Sequence, residues 1–115
     1  MHVHIYHNTN RKAMIDGYQH DHDVVLVAHY DDCTAPDHIA ACNKAFALYN
    51  ADHNPDVTEP DPHVTQYRER GNRSLSVGDV VACDDHFFAC QNSGWSAIAE
   101  PTVAWLSMPG TTPLD

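Results

Sequence analysis

Histidine and carboxylate are the groups this chain offers most freely for chemistry, with ten His and sixteen Asp and Glu among 115 residues. Two His-x-His pairs occur, His2 with His4 and His20 with His22, and Asp31 and Asp32 are possible oxygen donors nearby. Imidazole and carboxylate together suit zinc or a related ion. Neither pair has a third ligand at a diagnostic spacing, and no His-Glu-x-x-His is present. Two-ligand fragments of this kind hold metal adventitiously, so metal at His2, His4, His20 and His22 is expected only from a column or a crystal, and no cofactor is expected. Nucleophilic chemistry fares no better. Cys83 and His86 would face each other across an Asp84-Asp85 turn, but a reactive thiol needs an activating, partly exposed site and an orienting third group. The chain has no Gly-x-Ser-x-Gly elbow, P-loop or dinucleotide fingerprint, so no catalytic residue is assigned.

A second constellation is basic. Arg68, Arg70 and Arg73 are half of the six Lys and Arg residues, and they stand beside Gly71, Ser74 and Ser76. Guanidinium and hydroxyl groups so clustered can hold a phosphate or an acidic side chain. Two roles follow for Arg68, Arg70, Arg73, Ser74 and Ser76: an interaction or anion site, or internal pairing with the acidic half of the same chain. The second is favoured. Ser74, Ser76, Gly78 and Asp79 are also ordinary turn formers that satisfy loop amides, with Leu75 and Val77 plugging the core.

The formal charge is −10, and from Asp16 to Asp61 ten carboxylates are accompanied by Lys44 alone. Such a surface repels nucleic acid and anionic lipid, keeps a small protein soluble and attracts basic partners. No apolar run approaches the roughly 18 residues of a membrane span, and the start lacks a signal-peptide pattern, so a cytoplasmic location is expected. The four Cys (33, 42, 83, 90) contain no Cys-x-x-Cys pair. In the expected hairpin Cys83 and Cys90 stand about 14 Å apart along the ribbon, beyond the ~7 Å that a disulfide spans. Four free thiols, packed as small apolar residues, are expected.

These residues must be carried by a short series of elements. His2 to Tyr6 alternates as a first strand, and Val24 to Ala28, continuing to Tyr30, is an apolar run suited to a strand covered on both faces. Residues 8–22 are polar, with Gly17 as a turn former and a helical turn at Ala13 to Ile15. A helix over residues 35–50 follows, with Thr34 as N-cap, Pro36 in the first turn and Asp37 completing a capping box. Its apolar face reads Ile39, Cys42, Phe46, Tyr49. Pro55 and Pro60 make 50–61 a loop, and a short helix over 61–70 ends at Gly71. The last third is a β-meander: 79–83, 86–90 and 95–98, with Thr102 to Leu106 as a further strand. The fold class is therefore α+β, a mixed and mainly antiparallel sheet with both helices on one face. Residues 1–106 form one domain and 107–115 a loose tail.

The segment from Tyr67 to Val81 (YRERGNRSLSVGDVV), followed by Phe87-Phe88 and by Ser93-Gly94-Trp95, resembles part of small uncharacterised proteins encoded by actinobacterial phages and related mobile elements, which are similar to YodL-like domains. The resemblance covers residues 20–100 and is best from 67 to 98. It implies a phage or mobile-element origin, a compact α+β domain and no assigned catalytic residue. Two departures are Asp85, where such turns usually carry Gly, and the histidine load.

Size, acidity and resemblance together point to an accessory protein without catalytic activity that binds and modulates a host bacterial protein. The alternatives are a His/Asp metal-binding module or metal-dependent enzyme, and an acidic DNA mimic that acts on a DNA-binding protein. Direct nucleic-acid or membrane binding is not expected. Aromatic residues dominate binding hot spots, which nominates Tyr18, Tyr30 and Trp105, with Phe88 and Trp95 assigned to the core. The composition also fixes a pH response. Histidine titrates near pH 6.5, so acidification neutralises much of the net charge, and solubility should fall between about pH 5 and 6 around the sequence pI of 5.2. Turbidity measured across that range, unchanged down to pH 5, would contradict this.

Overall fold

The computed structural model describes residues 1–50 and 62–114. The expected 50–61 loop, with its two prolines, lies outside the described residues apart from its first position. The elements are β1 (Val3–Asn8), α1 (Ala13–Asp16), β2 (Asp23–Tyr30), α2 (His38–Asn50), α3 (Pro62–Glu69), β3 (Val80–Cys83), β4 (His86–Cys90), β5 (Trp95–Ile98) and β6 (Thr102–Val103). The six strands form one sheet in the order β5-β4-β3-β1-β2-β6. All pairings are antiparallel except the parallel contact of β2 with β6. The expected α+β class, a mixed and mainly antiparallel sheet, is what the structure has. No helix among the described residues is long and apolar enough to cross a membrane.

β1 is the centre of the sheet because it bonds on both edges. Val3 pairs with Tyr30 on one side and Cys83 on the other. Its period-2 alternation sends Val3 and Ile5 to the helix side and His4 and Tyr6 to the other. Between Ile5 and Tyr6 the register with β2 slips, since Ile5 faces Ala28 while Tyr6 faces Leu26. Val27 is thus an extra residue, a β-bulge. The bulge lets Val25, Val27, Ala28 and Tyr30 all join the core under the helices, while Val24 and Leu26 join the cluster on the opposite face.

The helix-side core joins Val3, Ile5, Val25, Val27, Val81 and Cys83 to Ala41, Cys42, Ala45 and Tyr49 of α2 and Tyr67 of α3. α2 differs from the sequence expectation in two ways. Its N-terminus is capped by Asp37, whose carboxylate accepts the Ala40 N–H at 2.7 Å, rather than by Thr34. Its inward stripe is Ala41, Cys42, Ala45 and Tyr49, so Ile39 and Phe46 are 43% and 38% exposed. The small alanines let the helix approach the sheet closely, and the bulky Ile39 and Phe46 are left on its flank.

The second face carries Tyr6, Val24, Val80 and Ala82, flanked by Tyr18, Leu26, Phe87 and Ile98. Ile98 and Thr102 end and begin strands at opposite edges of the sheet, yet three residues join them. Five interstrand gaps would separate these edges by about 24 Å in a flat sheet, whereas four Cα steps reach at most about 14 Å. The sheet is therefore strongly curled, and the connection brings Glu100 near enough to Tyr6 to raise its pKa after burial has done so.

The C-terminal segment is not the loose tail expected for 107–115. Leu114 donates its N–H to the Leu26 carbonyl at 2.8 Å, Arg73 donates to the Gly110 carbonyl at 2.8 Å, and Thr111 is 1% exposed. Polar composition misled because the segment docks through hydrogen bonds rather than apolar bulk. The expected strand at 102–106 is only Thr102–Val103.

Two glycines with left-handed backbones separate conformational strain from steric exclusion. Gly71 has φ +79° and no atom within 4 Å of a notional Cβ, while at Gly78, φ +92°, that atom would stand 2.5 Å from Ala13 Cβ and 2.8 Å from the Ala13 carbonyl oxygen. Gly71→Ala should cost about 1 kcal/mol from the backbone alone, and Gly78→Ala about 2 kcal/mol or more. Urea unfolding of both variants checks this; equal losses would mean that the loop simply moves away from Ala13.

Candidate functional site

The arginine cluster is engaged internally. Arg73 makes a two-pronged bond to Asp79, with its terminal nitrogens 2.6 and 2.8 Å from the two carboxylate oxygens. The same carboxylate accepts the Asn8 N–H at 2.8 Å and the Ser76 N–H at 2.9 Å. Asp79 is only 1% exposed, and these four donors are what make a buried carboxylate tolerable. Arg68 donates to the Tyr49 carbonyl at 2.9 Å and to Ser74 Oγ at 3.0 Å, and Arg70 donates to the Val27 carbonyl. Internal pairing of Arg68, Arg70, Arg73, Ser74 and Ser76 was the favoured expectation. Among the described residues the acceptors are Asp79 in the same segment, the Ser74 and Ser76 hydroxyls and main-chain carbonyls.

A neutral chain of bonds extends this network. His7, fully buried, bonds through Nε2 to the Tyr67 hydroxyl at 2.6 Å and through Nδ1 to Thr111 Oγ1 at 2.9 Å. The Tyr67 hydroxyl donates to the Arg73 carbonyl, so it can only accept from His7. That assigns the ring proton to Nε2 and makes Nδ1 the acceptor for Thr111. Burial is the main reason that the His7 pKa is lowered to about 4.

The His-x-His pairs do not assemble a metal centre. His2 Nδ1 stands 2.7 Å from Asp31 Oδ1, and that bond holds the Asp31 carboxyl below the usual carboxylate range. His4 stacks with His29 across β1 and β2 at 5.7 Å between ring centroids. His22 is held by Asn8 at 3.1 Å and by the Gln19 N–H at 3.2 Å. Among the described residues no group of three His, Cys, Asp or Glu is placed to hold an ion. Cys83 and His86 do face each other in register, but the Cys83 sulfur contacts Cys42 Sγ at 3.8 Å and the His38 carbonyl at 3.6 Å. The His86 ring packs on His38 at 4.5 Å. All four cysteines are free and buried. The contact between the two sulfurs, with burial second, pushes the Cys42 thiol well above its ordinary pKa, and the same contact lowers that of Cys83.

Of the nominated hot spots, Tyr30 is 5% exposed and stacks on Tyr49 in the core, so it offers no contact surface. Tyr18 is half-buried against His22. Trp105 is 70% exposed. Phe88 is buried, and Trp95 is half-buried.

Trp95 marks a surface that the residue types alone did not bring together. Its indole N–H donates to Asn43 Oδ1 at 2.9 Å, and its ring meets Phe46 edge-on at 6.3 Å. Ile39, Asn43 and Phe46 share one flank of α2 by helical spacing. They form a stripe, apolar at both ends, beside the outermost strand β5. The sequence held one usable signal: small alanines at 41 and 45, four apart, mark a close-approach face and displace Ile39 and Phe46 from it. Beside β5, Asp85, His86, Phe87, Phe88, Ile98 and Glu100 are among the residues that line an open cleft of about 410 Å³.

No family model matches the chain, and no curated protein or solved structure is detectably similar to it.

The His7 environment has a pH signature. Folded His7 binds its proton only near pH 4, while in the unfolded chain it does so near pH 6.5. Its stabilising contribution is therefore complete above about pH 6.5 and is lost as the pH falls toward 4, by about 3 kcal/mol. Unfolding free energies at pH 7 and pH 4.5 should diverge less for His7→Gln than for the parent protein; parallel losses would mean that His7 takes no part in the acid response.

Proposed function

We propose that the protein is a phage- or mobile-element-encoded accessory protein that acts in the cytoplasm of its host by binding and modulating a bacterial protein, without catalysis of its own. The observation that carries this reading is the stripe of Ile39, Phe46 and Trp95, where large apolar side chains stay in contact with water although the helix bearing them is packed on the sheet. Exposed aromatic and aliphatic groups gathered beside polar neighbours are the usual substance of a binding patch. Charge supports a basic partner. Arg73 is neutralised by Asp79, and sixteen carboxylates outnumber six Lys and Arg residues in a chain with net charge −10. The resemblance of residues 67–98 to proteins of actinobacterial phages supplies the biological setting.

The test is affinity capture from an actinobacterial lysate, with the parent protein and the Ile39→Asp/Phe46→Glu double variant, at low and high salt. A host protein enriched by the parent should be at least about tenfold depleted with the double variant, since burying two such side chains contributes a few kcal/mol. Equal capture by both, or none by either, would remove the support for this reading. Capture abolished by salt and indifferent to the substitutions would favour acidic mimicry of DNA instead.

A further inference from the structure

β5 is the last strand on its side of the sheet, with no further strand paired to it among the described residues. The Gln91 N–H bonds to the Gly94 carbonyl at 3.0 Å, closing the β4–β5 turn. From there the pairs run Cys90 with Trp95, Ala89 with Ser96, Phe88 with Ala97 and Phe87 with Ile98. Antiparallel pairs alternate between bonded and non-bonded, so the main-chain groups of Ser96 and Ile98 point to β4. Those of Trp95 and Ala97 point outward. The Cys90 N–H agrees with this phase, being directed to the Asp79 carbonyl on the β3 side at 2.8 Å. Natural edges are blunted by shortness, charge, proline or a bulge, and β5 is four residues long with Glu100 and Pro101 just beyond it. Here the run Trp95-Ser96-Ala97-Ile98-Ala99 has no charge and no proline, and Ser96, Ala97 and Ala99 are exposed. Their small side chains leave the backbone accessible.

We infer that the outer edge of β5 takes an extended, Lys/Arg-bearing segment of the partner protein as an added strand, bonded to the outward N–H and C=O groups of Trp95 and Ala97. This rests on the binding function proposed above and gives it a mode. An added strand projects side chains to alternate faces. On the helix side these meet Trp95, Phe46 and Ile39, which selects apolar groups. On the other side they meet Ile98, Phe87 and the carboxylates of Asp85 and Glu100, which selects aliphatic stems ending in a cation. Charge decides the occupant. After Arg73 the chain contains no Lys or Arg at all, so Lys44 of α2 is the one fixed cation on the elements beside this edge, against the carboxylates of Asp84, Asp85 and Glu100. A second copy of the chain, itself carrying −10, would be repelled where a basic segment is attracted.

The experiment selects binders from a displayed library of random ten-residue linear peptides, then measures one synthetic binder against the parent protein and Ala97→Pro. Proline at 97 removes an N–H that the β4 pairing does not use, so the variant should keep its fold, checked by its melting temperature. Selected peptides should alternate apolar residues with Lys or Arg, and Ala97→Pro should weaken binding about tenfold or more. N-methylation of alternate peptide amides gives an independent readout on the unaltered protein: one alternating set should abolish binding and the other leave it intact. Peptides that bind Ala97→Pro equally, or tolerate methylation at both sets, overturn strand addition. So does a selection that yields no binder, and in that case lysate capture by the α2 stripe still decides the binding function separately. Dimerisation of the parent but not of Ala97→Pro would assign the edge to a second copy and overturn the basic-segment occupant.

Discussion

The bond between half-buried Arg73 and buried Asp79 is the constraint on which the rest of the structure depends. An unpaired charge in the interior costs several kcal/mol, so every group that lets Asp79 remain ionised there is fixed in place. Arg73 follows α3, Asp79 precedes β3, and the Asn8 N–H that also reaches Asp79 ends β1. Asn8 further donates its side-chain amide to the Gly78 carbonyl at 3.0 Å. One carboxylate thereby sets the phase between the helical layer and the two central strands. The neutral bonds around it extend the same role to the C-terminal segment, through His7 with Thr111 and through Asn72, whose carbonyl accepts the Thr112 N–H at 2.7 Å. A polar network this fully satisfied specifies one arrangement, because any slip leaves a buried donor or acceptor without its partner.

This internal use of cations shapes the exterior. Arg73 is neutralised by the buried Asp79 and so does not offset the carboxylates on the surface. The strands β4 and β5 lie downstream of the last arginine and carry no Lys or Arg of their own. The same side of the molecule bears the exposed flank of α2 and the outer edge of the sheet. Apolar contact, main-chain hydrogen bonding and an excess of carboxylates thus coincide there. Single exposed apolar residues are common on protein surfaces, and net charge bears first on solubility. The coincidence of all three at the β5 edge is what distinguishes it from the remainder of the surface.

Much of the fold was legible in local pattern. β1 and β2 followed from alternation and from an apolar run, and the β3–β4 hairpin register, with Cys83 opposite His86, followed from the two-residue turn. The short helix and its end at Gly71 also agree with the structure. What failed was the rotation of α2. Ile39, Cys42, Phe46 and Tyr49 fit a helical period, but a stripe of large residues and a neighbouring stripe of small ones fit it almost equally well. The sheet beneath chose Ala41 and Ala45 because only small residues permit close packing there. Tyr30 failed for a related reason: the bulge at Val27 shifts the phase of β2 and turns the ring inward. The docked C-terminus was illegible because its partners, Arg73, His7 and Leu26, are remote in sequence and polar or main-chain in kind.

The sequence by itself determined the class of fold, the order of its elements, the acidity, and the residue types available for chemistry. Those properties depend on neighbours within a few positions or on composition alone. Tertiary structure decided which of the available groups remain free. It engaged three arginines internally, buried His7 and Tyr30, kept the histidine pairs from converging, left Ile39 and Phe46 exposed and put β5 at the margin of the sheet. The physical reason is that burial and hydrogen-bond satisfaction are properties of the packed whole. Whether a guanidinium or an aromatic ring meets water depends on contacts between residues up to a hundred positions apart, such as His7 with Thr111, and no local pattern encodes them.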